Sequence, residues 1–560
     1  MYFYSLAVLL VTDARSGCRA IPELHLLIIL YLCGVKPNIA NMHIVSKTVS
    51  AGLLLSGVTI SAQARGPEAP QKPNIVYIIA DQLRWDALGY TGNAKAVTPN
   101  IDRFAAQALD FTEAVSSTPV SAAHRACLIT GKYQSSTGMV INEINLNPNH
   151  RTWAHVLGDA GYKLGYVGKH HWTDLHRRDR ELGPERMGFD DYWAAYSFNH
   201  KSYNAFYHTE DDNGDHRFVE LKGQYSPEIF TSLALDYIRK KAAAEEPFAM
   251  MLSWNPPHDP WVRSNVDPRC YERFRNVHFD LPENFKRTPD PYMDRYPQKF
   301  FDGEEKWRES FIDTDQYSEM LRCYYAMVNS LDEQFGRVMA LLEELDIADN
   351  TIVVFTSDHG EQFGSQGRMY KLTFYDESAR IPFLIRDPRY DTGGRESDAC
   401  LNTPDIGPTL LGLAGLHGEI PGEMEGEDLS FIVRGEKGRE PEYAFMQSMG
   451  HTYQWKDGYE WRAVRSKRYT YARYLRDGSE VLLDREADPT QLTNYAGDPA
   501  YASVKKELRK RMERKMKQLG DDFMPCSWYR DRWMYKGYSI KASARGGFGP
   551  LPPVEPKRTE

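Results

Sequence analysis

Apolar and polar positions along the chain follow two periods that alternate. Residues 74–80 (Asn-Ile-Val-Tyr-Ile-Ile-Ala) form an almost unbroken apolar run with β-branched side chains, the pattern of a strand buried on both faces. Residues 99–109 take helical spacing, and 153–160 followed by 163–167 repeat the helix-then-strand order. A long helix is predicted over 227–244 before a strand at 248–254, and a broken helical stretch over 313–345 before a strand at 351–356. A strand at 381–385 and a helix at 406–416 follow. This alternation predicts an α/β fold with a large, mostly parallel sheet flanked by helices on both faces. After about residue 440 the pattern changes. Short antiparallel strands within 461–474 and at 480–484, and a charged helix at 501–519, predict a smaller C-terminal α+β subdomain. The predicted domains are therefore 72–435 and 440–540, with an extended tail over 541–560 rich in Gly, Pro and basic residues.

The amino terminus follows a different rule. Lys47, the apolar run 51–60 and Ala62-Gln63-Ala64 match the n-region, h-region and cleavage site of a secretory signal peptide over 42–64. Residues 1–41 then read as an upstream extension from a mis-called start. The mature chain would begin near Arg65, in the periplasm or outside the cell, with no transmembrane segment. Its loss of four basic and two acidic residues takes the net charge from −9 to −11. No basic block offers a nucleic-acid footprint. Aromatic residues make up 12% of the chain, which suits either a large core or a ring-lined cleft.

Chemistry is expected at the carboxyl ends of parallel strands. The run 74–80 ends in Asp81-Gln82, and the strand at 351–356 leads to Ser357-Asp358-His359-Gly360-Glu361. Asp81, Gln82, Asp358 and His359 together make an oxygen-rich divalent-cation site, favouring Ca²⁺ or Mg²⁺ over zinc. Each acidic residue, taken alone, also suits a helix cap.

A third segment, Ser121-Ala122-Ala123-His124-Arg125-Ala126-Cys127-Leu128-Ile129-Thr130-Gly131, resembles the signature of the type I, formylglycine-dependent sulfatases. The resemblance extends through Thr98–Asp102, Val167–His171, Asn255–His258, Ser357–Glu361, Lys371 with the segment after it, and the region from Arg462 to Asp488. It implies an alkaline phosphatase-like sulfatase fold. It also implies that Ser121 is oxidised to formylglycine and joins the metal site. A serine at that position implies an anaerobic radical-SAM sulfatase-maturing enzyme as partner. An aldehyde hydrate carries two hydroxyls, one to attack sulfur and one to expel sulfate as the aldehyde re-forms. By resemblance, Arg125 braces the nucleophile, Lys169 and Lys371 clamp the sulfate, and His171 assists collapse of the hydrate. His258 protonates the leaving alcohol or shares that task with Lys371. Ser121 read without the resemblance is a helix N-cap.

The substrate implied is a sulfated sugar or glycan, with a lean toward 6-O-sulfated N-acetylglucosamine, as in arylsulfatase and N-acetylglucosamine-6-sulfatase relatives. Trp455, Tyr459 and Trp461, and the ring-rich stretch Tyr192, Trp193, Tyr196, Phe198, His200 and Tyr203, are candidates to line the cleft or to pack between domains. Alternatives are a phosphonate monoester hydrolase or phosphodiesterase of the same superfamily, and a non-catalytic glycan-binding protein.

Overall fold

The computed structural model describes residues 72–142, 144–173, 186–286, 292, 314–532, 534, 535, 538 and 539. The extension, the signal peptide and the tail read from the sequence lie outside them.

Ten strands form one sheet. In chain order they are β1 (Asn74–Ala80), β2 (Leu109–Phe111), β3 (Lys163–Lys169), β4 (Tyr192–Tyr196), β5 (Tyr203–Glu210), β6 (His216–Tyr225), β7 (Phe248–Trp254), β8 (Thr351–Ser357), β9 (Phe383–Arg386) and β10 (Arg395–Ser397). Their spatial order is β10-β2-β9-β8-β1-β7-β3-β4-β5-β6. The central five, β8-β1-β7-β3-β4, are mutually parallel, and antiparallel strands flank them. Strand β1 shows why its run is apolar throughout. Ile75, Tyr77 and Ile79 enter the core on one face; Val76, Ile78 and Ala80 enter the core on the other.

Helices α1 (Pro99–Ala105), α4 (Ser226–Ala243) and α5 (Thr314–Glu344) supply the second of these cores. Helices α2 (Ser121–Thr130), α3 (Trp153–Asp159) and α6 (Thr403–Leu413) supply the first. Two sequence expectations change here. The helix expected to 109 ends at Ala105, because Leu109 and Phe111 are buried at period two and pair with β9 and β10. The stretch over 313–345 is one continuous helix, not a broken one. Leu321, Tyr324, Val328, Leu331, Phe335, Val338 and Leu342 keep a single buried stripe through it. Two polar residues along it have partners: Asn329 donates to the Val97 carbonyl, and Asp332 accepts the Asn100 and Ile101 N–H groups that open α1.

A four-stranded antiparallel sheet follows: β11 (Tyr443–Ser448), β12 (Trp461–Ser466), β13 (Tyr469–Tyr474) and β14 (Glu480–Asp484). One face packs on Leu508 and Met512 of α7 (Ala502–Leu519). The other packs on Phe374 and Tyr375, in the segment just after Lys371.

Candidate active site

Strands β1, β3, β7 and β8 are neighbours, and all four end at one edge. Asp81 and Gln82 follow β1, Lys169 ends β3, Asn255 follows β7, and Asp358 and His359 follow β8. Glycine is required just before Lys169: Gly168 has φ +103°, and a Cβ there would lie 1.9 Å from the Ser253 carbonyl oxygen.

Ser121 opens α2 beneath this edge. It is not the N-cap; Val120 holds that place. Ser121 Oγ instead lies 3.2 Å from Asp81 Oδ1 and 3.0 Å from His359 Nε2. The helix start is pinned by Asn142, whose Oδ1 accepts the Ala122 N–H at 3.1 Å. One turn on, Arg125 is wholly buried. Its Nη2 donates to Asp81 Oδ2 (3.1 Å) and Asp358 Oδ2 (3.3 Å), and its Nη1 donates to the Lys169 carbonyl (2.9 Å) and Ser253 Oγ (2.6 Å).

Lys169 Nζ stands 2.7 Å from Asp81 Oδ2 and donates to Asn255 Oδ1 at 3.3 Å. Lys371 Nζ donates to Gln82 Oε1 at 2.7 Å and lies 3.0 Å from His258 Nε2. His258 Nε2 is in turn 3.9 Å from Asp81 Oδ1. His171, with φ +58°, is buried, and neither of its ring nitrogens has a hydrogen-bond partner. Its ring lies 5.3 Å from that of Phe198. Thus Ser121, Arg125, Lys169, His258 and Lys371 meet around Asp81, Gln82, Asp358 and His359 through direct contacts. No hydrogen bond from the His171 ring ties it to this cluster.

The charges are tuned by burial and by each other. Burial alone would raise the Asp81 pKa, but Lys169, His258 and Arg125 hold it well below the usual carboxylate range. Asp358 moves the other way, raised by burial and by the Asp81 charge. Burial pushes Lys169 down to about 8 against the pull of Asp81. Burial, reinforced by Lys371, keeps His359 neutral, the form that ligates a metal. Burial, reinforced by Lys169, does the same for His171. Ligand atoms of Asp81, Asp358 and His359 all lie within 4.8 Å of one another. Two carboxylates and a neutral imidazole fit a divalent cation.

Three contributors escaped the sequence reading. Asn255 holds Lys169 through Oδ1, while its Nδ2 is buried without a partner. Glu361 accepts the Gln82 Nε2 at 2.5 Å and the Phe363 and Tyr370 N–H groups at 3.1 and 2.6 Å. It thereby ties Gln82 to the loop carrying Lys371. Asp259 Oδ1 lies 3.1 Å from His258 Nδ1. Asn255 and Glu361 lie inside segments already singled out, and Asp259 lies one residue beyond. Each acts on a neighbour whose importance had to be known first.

The aromatic candidates divide. Trp193 and Tyr196 belong to the buried strand β4, and Trp461 is buried with its Nε1 on the Leu372 carbonyl. Tyr192 stacks on Tyr237, and Tyr203 packs on Tyr225. Trp455 packs against a core cluster, and Tyr459 lies beside His451. Tyr459 and Trp461 also line a cavity with Lys371, and Phe198 and His200 reach the cluster by ring contacts. The Phe198 ring lies 5.6 Å from Lys169 Nζ, and His200 stacks on His258 at 4.2 Å. His124 is a support, its Nδ1 2.8 Å from Ser116 Oγ and 3.3 Å from Thr403 Oγ1.

Comparison with known proteins places this geometry. The sulfatase family profile matches residues 73–416, and an N-sulphoglucosamine sulphohydrolase C-terminal profile matches 364–518. An ulvan-active sulfatase of Formosa agariphila is 36% identical over 474 residues, covering 84% of this chain and 86% of the relative. An N-acetylglucosamine-6-O-sulfatase of Bacteroides thetaiotaomicron is 26% identical over 512 residues, covering 81% and 88%. A structure solved with its substrate D-glucosamine-2-N,6-O-disulfate superposes with TM-score 0.67 at 25% identity, covering 80% of this chain and 99% of that one. The architecture is the alkaline phosphatase-like sulfatase fold, and this chain belongs to the sulfatase family as a sulfuric ester hydrolase.

Proposed function

We propose that the protein is a glycan sulfatase that hydrolyses a sulfate monoester on a sugar, with 6-O-sulfated N-acetylglucosamine as the leading substrate. The observation that carries this reading is a buried cluster with donors to spare. Lys169, Lys371 and Arg125 outnumber Asp81 and Asp358, and both His171 nitrogens and Asn255 Nδ2 lack partners. Buried polar atoms without partners are costly unless a ligand completes them, and a sulfate ester supplies acceptor oxygens for the N–H groups among them. The sugar is argued from the substrates in the names of the relatives above.

A formylglycine at Ser121, formed by a radical-SAM maturase, would supply a nucleophile with a built-in release step. Asp81, Gln82, Asp358 and His359 would hold Ca²⁺ or Mg²⁺, which lowers the pKa of a nucleophilic hydroxyl and neutralises sulfate charge. The chain's own residues do the rest. Arg125 locks both carboxylates to the Lys169 backbone, fixing the site before substrate arrives. Lys169 and Lys371 meet negative charge as it develops on sulfate. His258 and Lys371, 3.0 Å apart, hold a proton where a leaving oxygen would need it.

The decisive test is mass spectrometry of the Ser121 peptide from native, active enzyme. Conversion to formylglycine removes two hydrogens, about 2 Da; an unmodified peptide refutes the mechanism. Chelation is expected to abolish activity, with Ca²⁺ or Mg²⁺ restoring it. A screen of defined sulfated mono- and disaccharides identifies the sugar. Preference for an aryl phosphodiester over every sulfate ester by orders of magnitude would overturn the assignment. Export is part of the proposal, and a native amino terminus near Arg65 is its check. Among the described residues no helix is long and apolar enough to cross a membrane.

A further inference from the structure

His258 meets the rest of the cluster through Nε2, and its other nitrogen is spoken for. Nδ1 lies 3.0 Å from the Asp259 backbone carbonyl and 3.1 Å from Asp259 Oδ1. Both are acceptors, so Nδ1 carries the hydrogen in either protonation state. Nε2 is then the position that gains and loses a proton, and it faces Lys371 Nζ at 3.0 Å and Asp81 Oδ1 at 3.9 Å. The His200 ring lies over the imidazole at 4.2 Å, restricting its tilt. His258 is buried and Asp259 is only partly exposed, so the contact between them is sheltered from water.

We infer that Asp259 is a positioning residue for the leaving-group proton, fixing the His258 tautomer so that Nε2, with Lys371, delivers to the departing oxygen. This rests on the sulfatase reading above. As the S–O bond breaks, its electron pair stays on the leaving oxygen. That oxygen takes the Nε2 proton, and neutral His258 keeps its Nδ1–H on Asp259. The two acceptors of Asp259 on Nδ1 hold the ring aimed. The benefit should scale with the basicity of the leaving group. A sugar alkoxide needs the proton; a nitrophenolate hardly does.

The test uses the matured full-length enzyme and four variants: Asp259→Asn, Asp259→Glu, His258→Ala and the double His258→Ala/Asp259→Asn. Wild-type release of sulfate from a sugar sulfate is measured first. If a fully converted wild type releases none from any sulfate ester, the sulfatase reading fails and the inference falls with it. With an active wild type, Asp259→Asn is expected to lower kcat on the sugar sulfate by about 10–100-fold. On 4-nitrophenyl sulfate the loss should be a few-fold at most. Asp259→Glu should recover most of the loss by keeping the carboxylate. In the His258→Ala background, Asp259→Asn should cost nothing more. Equal losses on both substrates overturn the inference, as do additive losses in the double variant. If aryl sulfates are not turned over, the double-variant comparison on the sugar sulfate decides alone. The ligand atoms of His200, His258 and Asp259 also lie within 4.8 Å of one another. Metal analysis showing an ion lost with Asp259→Asn would therefore overturn the inference too. Thermal melting of each variant separates misfolding from misplacement.

Discussion

Two arginines, equally buried, behave differently. Arg462 in β12 meets Asp521 through Nε (2.5 Å) and Nη2 (2.8 Å), and its Nη1 donates to the Ser448 carbonyl (2.7 Å). Asp521 also accepts from Gln447 Nε2 and the Phe523 N–H. Every guanidinium nitrogen is used and one charge meets one charge. Arg125 at the sheet edge meets two carboxylates through a single nitrogen, leaves Nε without a partner, and shares Asp81 with Lys169. The first network is closed and anchors the small sheet to the segment after α7. The second is open, with unspent donors around Ser121. Burial of charge therefore identifies a site only when the hydrogen bonds fail to close.

The comparison breaks first at Asp358. Asp358→Asn keeps size and loses a ligand charge, so turnover should fall by about 10³-fold or more, the several kcal/mol a metal contributes. Melting should change little, because Arg125 Nη2 keeps Asp81 and the repulsion between the two buried carboxylates is relieved. Comparable unfolding of this variant and wild type, alongside an assay on the identified sulfate ester, checks both halves. Wild-type turnover would remove Asp358 from the site.

Asp521→Ala should do the converse. It leaves Arg462 buried with its closest charge gone, at a cost of about 3–5 kcal/mol. The folded fraction should keep wild-type kcat. Denaturant titration with activity measured at each point reads stability and turnover together. A large drop in kcat at full folding would mean that the two networks are coupled after all.

How much of this was legible without coordinates differs between the regions. Strands β1 and β7 coincide with the apolar runs 74–80 and 248–254, because a strand covered on both faces is apolar at every position. Asp81, Asp358, Lys169 and His258 were legible because each stands at or just past a strand end. Glu361, Asn255 and Asp259 were not, since hydrogen bonds between separate loops leave no period in the sequence. The ring-rich stretch from Tyr192 to Tyr203 divides for a related reason. Strand β4 is buried on both faces, so Trp193 and Tyr196 serve the core, and no polar alternation marks them as a strand.

His124 sharpens the comparison with pH. It is three residues past Ser121, yet its Nδ1 contacts, Ser116 and Thr403, are supporting ones, and its buried Nε2 has no partner. Burial depresses its pKa to about 3, against 6.5 unperturbed. Between those values the unfolded chain binds a proton that the folded chain refuses, so His124 makes folding less stable as pH falls. The slope is at most about 1.4 kcal/mol per pH unit for one proton. His124→Gln should flatten the stability profile between pH 4 and 6.5. An unchanged slope would assign the acid sensitivity to the carboxylates instead.

The smallest expected effect is the most diagnostic. His171 is buried with two unpaired ring nitrogens and a left-handed backbone. In a closed network such a residue would be a defect, since an unsatisfied buried polar group costs about 1–3 kcal/mol. His171→Leu removes the orphan atoms and keeps apolar contact with Phe198. It pays some of that back as strain at positive φ, leaving a net stability change between zero and a gain of about 1 kcal/mol. Turnover should collapse. Stability held or raised while activity is lost means that His171 is kept for the reaction at the expense of the fold. A clear loss of stability would mean instead that its nitrogens are satisfied in the free enzyme, by water or metal, and that the site is closed before substrate arrives.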